Sequence, residues 1–201
     1  MSTTKKVLLI NTHLTYPGWS EGTLNASFHQ KAKDFFLANN FEVVETKVED
    51  GYNAEEEVEK HLEADIIVLQ TPINWFGAPW IYKKYVDDVF NSGLQSAKFL
   101  VGDGRTREDA TKQYGTGGKM QGKKFMVSST WNAPAASFDD PNQVLFEGRS
   151  TADALIQITS NYRFCGADVV ADYNCFDIFK DGDIVGTLEN YPEHLKKVFS
   201  L

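Results

Sequence analysis

Val7-Leu8-Leu9-Ile10 is an unbroken apolar run with no polar residue interleaved. A strand wetted on one face alternates, so a run that does not alternate is covered on both faces. Asp65-Ile66-Ile67-Val68-Leu69-Gln70 repeats the pattern, and Lys124 to Thr130 supplies a third central strand. Between them Leu24, Phe28, Ala32 and Phe35-Phe36 recur at helical spacing, predicting a helix from about Thr23 to Ala38 that Asn39-Asn40 ends. Phe41 to Val48 alternates, as a half-exposed edge strand does, and Ala54 to Glu63 reads as an acidic helix. From Pro79 to Asn91, Ile81, Tyr85 and Val89 run beside Tyr82, Val86 and Phe90, with Pro79 suited to a first turn. Asn91 to Gly122 is irregular and holds seven glycines. A helix near Thr151 to Phe164, a strand near Asp168 to Cys175 and a short helix from Tyr191 to Phe199 complete the chain.

Unbroken strands alternating with helices predict an α/β fold, a parallel sheet with helices on both faces. Five strands best suit the flavodoxin-like order 2-1-3-4-5, with the dinucleotide-binding order 3-2-1-4-5 as the alternative. The 201 residues and 22.6 kDa suit one domain spanning 1–201. Twenty Lys and Arg against 28 Asp and Glu give a net charge of −8. Such a chain has no general attraction for nucleic acid or anionic lipid. The apolar runs fall well short of the roughly 20 residues of a membrane helix. Met1 to Lys6 is polar and lacks the apolar core of a secretory signal, so a cytoplasmic protein is expected.

Several motif matches fail on context. Gly117-Gly118-Lys119-Met120-Gln121-Gly122-Lys123 begins like a phosphate-binding P-loop, but Lys124 stands where Ser or Thr ligates magnesium. That segment also leads into a strand instead of following one. No G-x-G-x-x-G follows the first strand, and no G-x-S-x-G elbow exists. His13, His29, His61 and His194 lack metal-ligand spacing, so no metal is expected. Cys165 and Cys175 form no C-x-x-C pair and read as buried structural thiols.

In an open α/β sheet, ligands lie outside the carboxyl ends of the strands at the switch in strand order. Three loops meet there. The first ends in Ser20-Glu21-Gly22-Thr23-Leu24-Asn25-Ala26-Ser27 and runs into a helix, whose free N–H groups and positive dipole end suit an anion. Ser20 and Thr23 are equally suited to be ordinary N-caps. The second, Ile73-Asn74-Trp75-Phe76-Gly77, sets two large aromatics before a glycine that lets a backbone come close. The third, Thr130-Trp131-Asn132-Ala133, again puts an aromatic and an amide past a strand end, and Tyr114 adds an aromatic from the glycine-rich segment. A flat π-system carrying a phosphate fits this set, which describes a flavin.

From the first strand to about Pro134 the chain resembles the flavodoxin-like NAD(P)H:quinone oxidoreductases. The resemblance rests on Gly77-Ala78-Pro79-Trp80, Lys83 to Phe90, Asp103-Gly104-Arg105-Thr106-Arg107 and Thr130-Trp131-Asn132-Ala133-Pro134. It implies FAD, with FMN the lesser choice, held at a homodimer interface, reduced by NAD(P)H and reoxidised by a quinone in two-electron, ping-pong steps. It further implies that the pyrophosphate and ribityl chain lie on Ser20 to Ser27. The ring would lie against Ile73 to Gly77 and Thr130 to Ala133, with Tyr114 a further contact. Tyr114 is also the one candidate proton donor to the quinone. The helix from Lys83 to Phe90, apolar on two adjacent stripes, is the expected dimer contact. Two rival readings share the fold. One is an FMN-dependent azo- or nitroreductase, and the other a flavodoxin-type electron carrier without turnover of its own.

Overall fold

The apolar runs sort into two layers by residue parity, as strands buried on both faces require. In the computed structural model, which describes residues 4–201, β1 (Lys6–Asn11) sends Leu8 and Ile10 to one core and Val7 and Leu9 to the other. Residues Met1–Thr3, part of the polar stretch read above, lie outside the described residues. In β3 (Ile66–Pro72) Ile67 and Leu69 take the first side, and Ile66 and Val68 the second. In β4 (Lys124–Thr130) Phe125 and Val127 oppose Met126 in the same way.

The second layer is closed by α1 (Thr23–Ala38) through Phe28, Ala32 and Phe36, and by α6 (Ile184–Phe199) through Tyr191, Leu195 and Phe199. The first is closed by α2 (Ala54–Glu63), α3 (Trp80–Gln95) and α5 (Ile156–Phe164). All ladders are parallel, and the edge strand β2 (Glu42–Lys47) gives the order β2-β1-β3-β4-β5. The expected order 2-1-3-4-5 is therefore the observed one. Both cysteines are buried, and burial pushes the Cys165 thiol up to about 12.

Four expectations need correction. The last strand is two pieces, β5 (Asp168–Val169) and β6 (Tyr173–Cys175), both paired with β4. Three residues, Val170 to Asp172, oppose two on β4, which is a bulge that restarts the pairing in a new register. The helix near Thr151 is broken at Leu155 into α4 (Thr151–Ala154), opened by a Ser150–Asp153 capping box, and α5. The final helix begins at Ile184, seven residues before Tyr191. Asp183 caps it by accepting from the Gly186 N–H, and Pro192 sits inside the helix instead of opening it. Both apolar stripes of α3 are consumed within one chain, because Ile81, Tyr82, Tyr85, Val86 and Val89 are all buried between the sheet, α2 and α5. The two stripes alone therefore give no reason to expect a partner.

A buried polar cluster crosses this layer. The Glu57 carboxylate, 1% exposed, accepts from Thr46, Lys60 and Tyr85. His61 Nδ1–H donates to the Glu57 carbonyl at 2.8 Å, which leaves Nε2 to accept from the Tyr162 hydroxyl at 3.2 Å. Complete burial lowers the His61 pKa to about 4, with Lys123 and Lys60 adding to the effect. The unfolded chain takes up a proton near the ordinary value of 6.5 and the folded chain does not, so stability falls as pH drops from 7 to 4. A shift of that size is worth about 3 kcal/mol. Urea unfolding at pH 7 and pH 4 is expected to show that loss relative to His61→Gln, whose own pH dependence lacks it.

Candidate flavin site

Three strand ends are bound to one another before any loop leaves the sheet. The Thr12 N–H donates to the Gln70 carbonyl at 3.0 Å, and the Ile73 N–H to the Thr130 carbonyl at 2.9 Å. Beneath them Gln70 Nε2 donates to Asn25 Oδ1 at 2.8 Å, and Asn25 Nδ2 to Thr130 Oγ1 at 3.4 Å. All three side chains are buried. Asn25 is thus a brace from the first turn of α1 to β3 and β4, and Gln70 Oε1 is left as a buried acceptor without a partner.

The N-cap of α1 is Gly22, at φ 77°, and no side chain caps the helix. Neither Ser20 nor Thr23 takes the capping role open to them. Ser20 Oγ faces His13 Nε2 at 3.1 Å, and Ser27 Oγ donates back to the Thr23 carbonyl at 3.0 Å. The N–H groups of Thr23, Leu24 and Asn25 remain available to an anion. His13 lies under Gly22 so closely that a Cβ there would meet its Nδ1 at 2.5 Å. Its own N–H donates to Asn11 Oδ1, and burial lowers its pKa, so the ring is neutral at pH 7. Ahead of the turn, the Tyr16 and Ser20 backbones pair and present Trp19, which is 76% exposed and rests on the Tyr16 ring.

Past β3, Asn74 and Gly77 exchange backbone hydrogen bonds at 2.8 and 3.2 Å around a two-residue turn. Trp75 and Phe76 occupy that turn at φ 50° and 68°, the left-handed region usually left to Asn-Gly. This conformation costs an L-residue about 1–2 kcal/mol. Trp75 is 93% exposed, and Gln157 Nε2 donates to the Phe76 carbonyl at 3.1 Å. The group that approaches Gly77 closely is the same Gln157 amide. Ile73 is half-buried against the core.

Past β4 the sequence expectation for Trp131 is corrected. Its indole is 2% exposed and packs on Phe138 in the core, so it offers no stacking surface. Its N–H is taken by the Cys175 carbonyl, whereas Asn132 and Ala133 N–H donate to no protein acceptor among the described residues.

Tyr114 is not at this edge. It packs on Phe164 at 5.1 Å, beneath the Arg105 guanidinium, where α5 ends and β4 begins. Seven residues of β4 separate that end from Thr130, about 20 Å at strand rise. Ser20, Gly22, Thr23, Leu24, Asn25, Ser27, Ile73 to Gly77 and Thr130 to Ala133 do share one edge of the sheet. His13, Trp19, Gln70 and Gln157 were missed, because a lone His, Trp or Gln carries no spacing signal. Among the described residues no group of His, Cys, Asp and Glu is arranged for a metal, and no helix is long and apolar enough to cross a membrane.

An uncapped helix N-terminus, free amides past β4 and an exposed aromatic turn past β3 together fit a flavin phosphate and ring. A family model described as flavodoxin-like fold matches residues 5–195. The NADPH:quinone oxidoreductase MdaB of Haemophilus influenzae is 38% identical over 182 residues, 90% of this chain and 93% of that protein. A Klebsiella pneumoniae structure assigned as a quinone reductase superposes with a TM-score of 0.78 at 20% identity, covering 98% of this chain and 85% of that one. General stress protein 14 of Treponema denticola, solved in complex with FMN, has a TM-score of 0.66 at 19% identity, covering 97% and 98%. At those identities the two structures bear on the fold alone.

The site predicts unequal losses at two glycines that both have positive φ. Gly18 has open space around a Cβ, so Gly18→Ala is expected to lose about 1 kcal/mol, for backbone conformation alone. Gly22→Ala also drives a methyl into the His13 ring and is expected to lose about 1–3 kcal/mol more. Denaturant midpoints of the two variants check this directly.

Proposed function

The chain belongs to the flavodoxin-like-fold family, and from that premise we propose that it is an FAD-dependent NADPH:quinone oxidoreductase of the cytoplasm, active as a homodimer. The observation that carries this reading is the meeting of three differently built turns at one sheet edge. One offers free helix N–H groups, one an exposed aromatic pair and one unpaired amides. The relative named for NADPH and quinone, aligned over nine-tenths of the chain, supports the substrate class.

In this reading the N–H groups of Thr23, Leu24 and Asn25 hold phosphate, with the Thr23 hydroxyl a further donor. The turn at Ile73 to Gly77 and the amides of Asn132 and Ala133 hold the ring. A flavin bound there would supply the two-electron hydride chemistry that links NADPH to a quinone. The protein's part is to position the reactants and exclude water.

FAD is favoured over FMN by what lies on the far side of the anion turn. The ring loops leave β3 and β4, the phosphate turn leaves β1, and a cavity of about 320 Å³ continues toward β2. It is lined by His13, His29, Gln30, Glu21, Glu45 and Lys47 among others, donors and acceptors that a ribose and adenine can use. FMN leaves this space empty.

Tyr114 enters through a second copy. Its own ring site is a strand length away, so any flavin it touches is a partner's. Trp80, Val144, Leu145 and Ile156 are exposed at the site end, and Leu94, Val101 and Tyr114 at the other end. A two-fold axis between these patches sets each chain's Tyr114 beside its partner's turns, which makes the contact isologous.

Purified protein is expected to show the two visible flavin bands, bleached anaerobically by NADPH and restored by a soluble quinone. The released cofactor should weigh as FAD. Flavin that stays oxidised with NADPH and NADH alike overturns the reductase and favours the electron carrier, and release of FMN favours the azoreductase reading. Mixing a Tyr114→Ala chain with a Gly22→Ala chain tests the shared site. Exchange makes half the dimers mixed, each with one intact site, so activity should recover to about a quarter of the native level. No recovery between exchanging subunits places Tyr114 outside the partner's site.

A further inference from the structure

The turn at Trp131 to Ala133 is held from the C-terminal segment by more bonds than its length requires. The Trp131 N–H donates to Cys175 O at 2.8 Å, Asp177 N–H to Ala133 O at 3.1 Å and Ile178 N–H to Trp131 O at 3.1 Å. Beneath the main chain, Trp131 Nε1–H is shared between Ser129 Oγ at 2.6 Å and Asn174 Oδ1 at 3.1 Å. The Ser129 hydroxyl donates to the same Asn174 oxygen at 2.6 Å, and Asn174 Nδ2 donates to the Asp172 carboxylate. Asn174 reaches the indole because the bulge at Val170 to Asp172 restarts β6 in a new register against β4. An indole N–H this deeply buried has no solvent alternative, so its direction is set by these two acceptors.

We propose that Asn174 is a positioning residue. Through the Trp131 indole it orients the Asn132 and Ala133 N–H groups, and so raises the reduction potential of the flavin held there. The proposal rests on the flavin reading above. Hydride uptake adds two electrons and one proton to the ring, leaving a negative charge on its pyrimidine side near neutral pH. Fixed donors aimed at that charge favour the reduced ring over the oxidised one without reorganising. Ser129 and Asn174 touch no reactant and act through Trp131 alone.

The test is the midpoint potential of the FAD-loaded protein, measured against a reference dye, with the dissociation constant of oxidised FAD alongside. Asn174→Ala is expected to weaken the preference for reduced over oxidised flavin by about tenfold, a potential about 30 mV more negative for a two-electron couple, with oxidised FAD bound almost as before. Trp131→Phe keeps an aromatic ring at the position and removes the donor, and it should give the same shift. The double variant should shift no further than either single one, since both cut the same link. Trp131→Phe by itself also stands in for Asn174→Ala should that variant fail to fold. An unchanged potential in flavin-loaded variants, or shifts that add, overturns the proposal and leaves the flavin reading intact. A native chain that binds no flavin overturns both.

Discussion

One buried hydrogen bond between two amides, from Gln70 to Asn25, joins the elements on which the site depends. Gln70 is in the middle strand of the switch and Asn25 in the first turn of α1, with Thr130 taking up the second amide group. A buried amide left unpaired costs roughly 1–3 kcal/mol, so the three ends are held in one arrangement. Helix α1 therefore meets the sheet with its open N–H groups above the ends of β1 and β3. The left-handed Gly22 completes this placement, since only a residue without Cβ clears the His13 ring.

The two sheet faces have different tasks. On one, α1 and α6 cover an apolar layer around Phe28, Phe36 and Tyr191. On the other, α2, α3 and α5 enclose the Glu57–His61–Tyr162 cluster and bury both stripes of α3. Among charged neighbours such as Lys83, Asp87 and Lys98, that side also exposes large apolar side chains, from Trp75 and Trp80 to Tyr114. The strained Trp75-Phe76 turn belongs here as well. Its backbone energy is tolerated because Asn74, Gly77 and Gln157 all bond to it, a pattern associated with functional sites.

Periodicity made the three central strands and the first three helices legible, because burial on both faces leaves an unmistakable apolar run, whereas the strand order was a choice between two that the structure decided. It failed where a local cap or bulge decided the matter. Asp183 starts α6 well before Pro192, and one extra residue divides the last strand. The three candidate loops were found from their place after β1, β3 and β4, which is a property of topology. Which side chain faces outward was not legible. Trp75 and Trp131 look alike as aromatics past strand ends, yet one is 93% exposed and the other 2%.

The sequence by itself determined a doubly covered parallel sheet and the segments at its carboxyl edge, since these follow from which residues water rejects and at what period, and it narrowed the strand order to two choices. Tertiary structure alone decided that Gly22 caps α1, that His13 supports it, that Asn174 reaches the Trp131 indole and that Tyr114 stands at the far end. Each of these joins residues distant in the chain or turns on a single backbone angle. Hydrophobic period carries no information about either, because it registers burial and not the direction of a hydrogen bond.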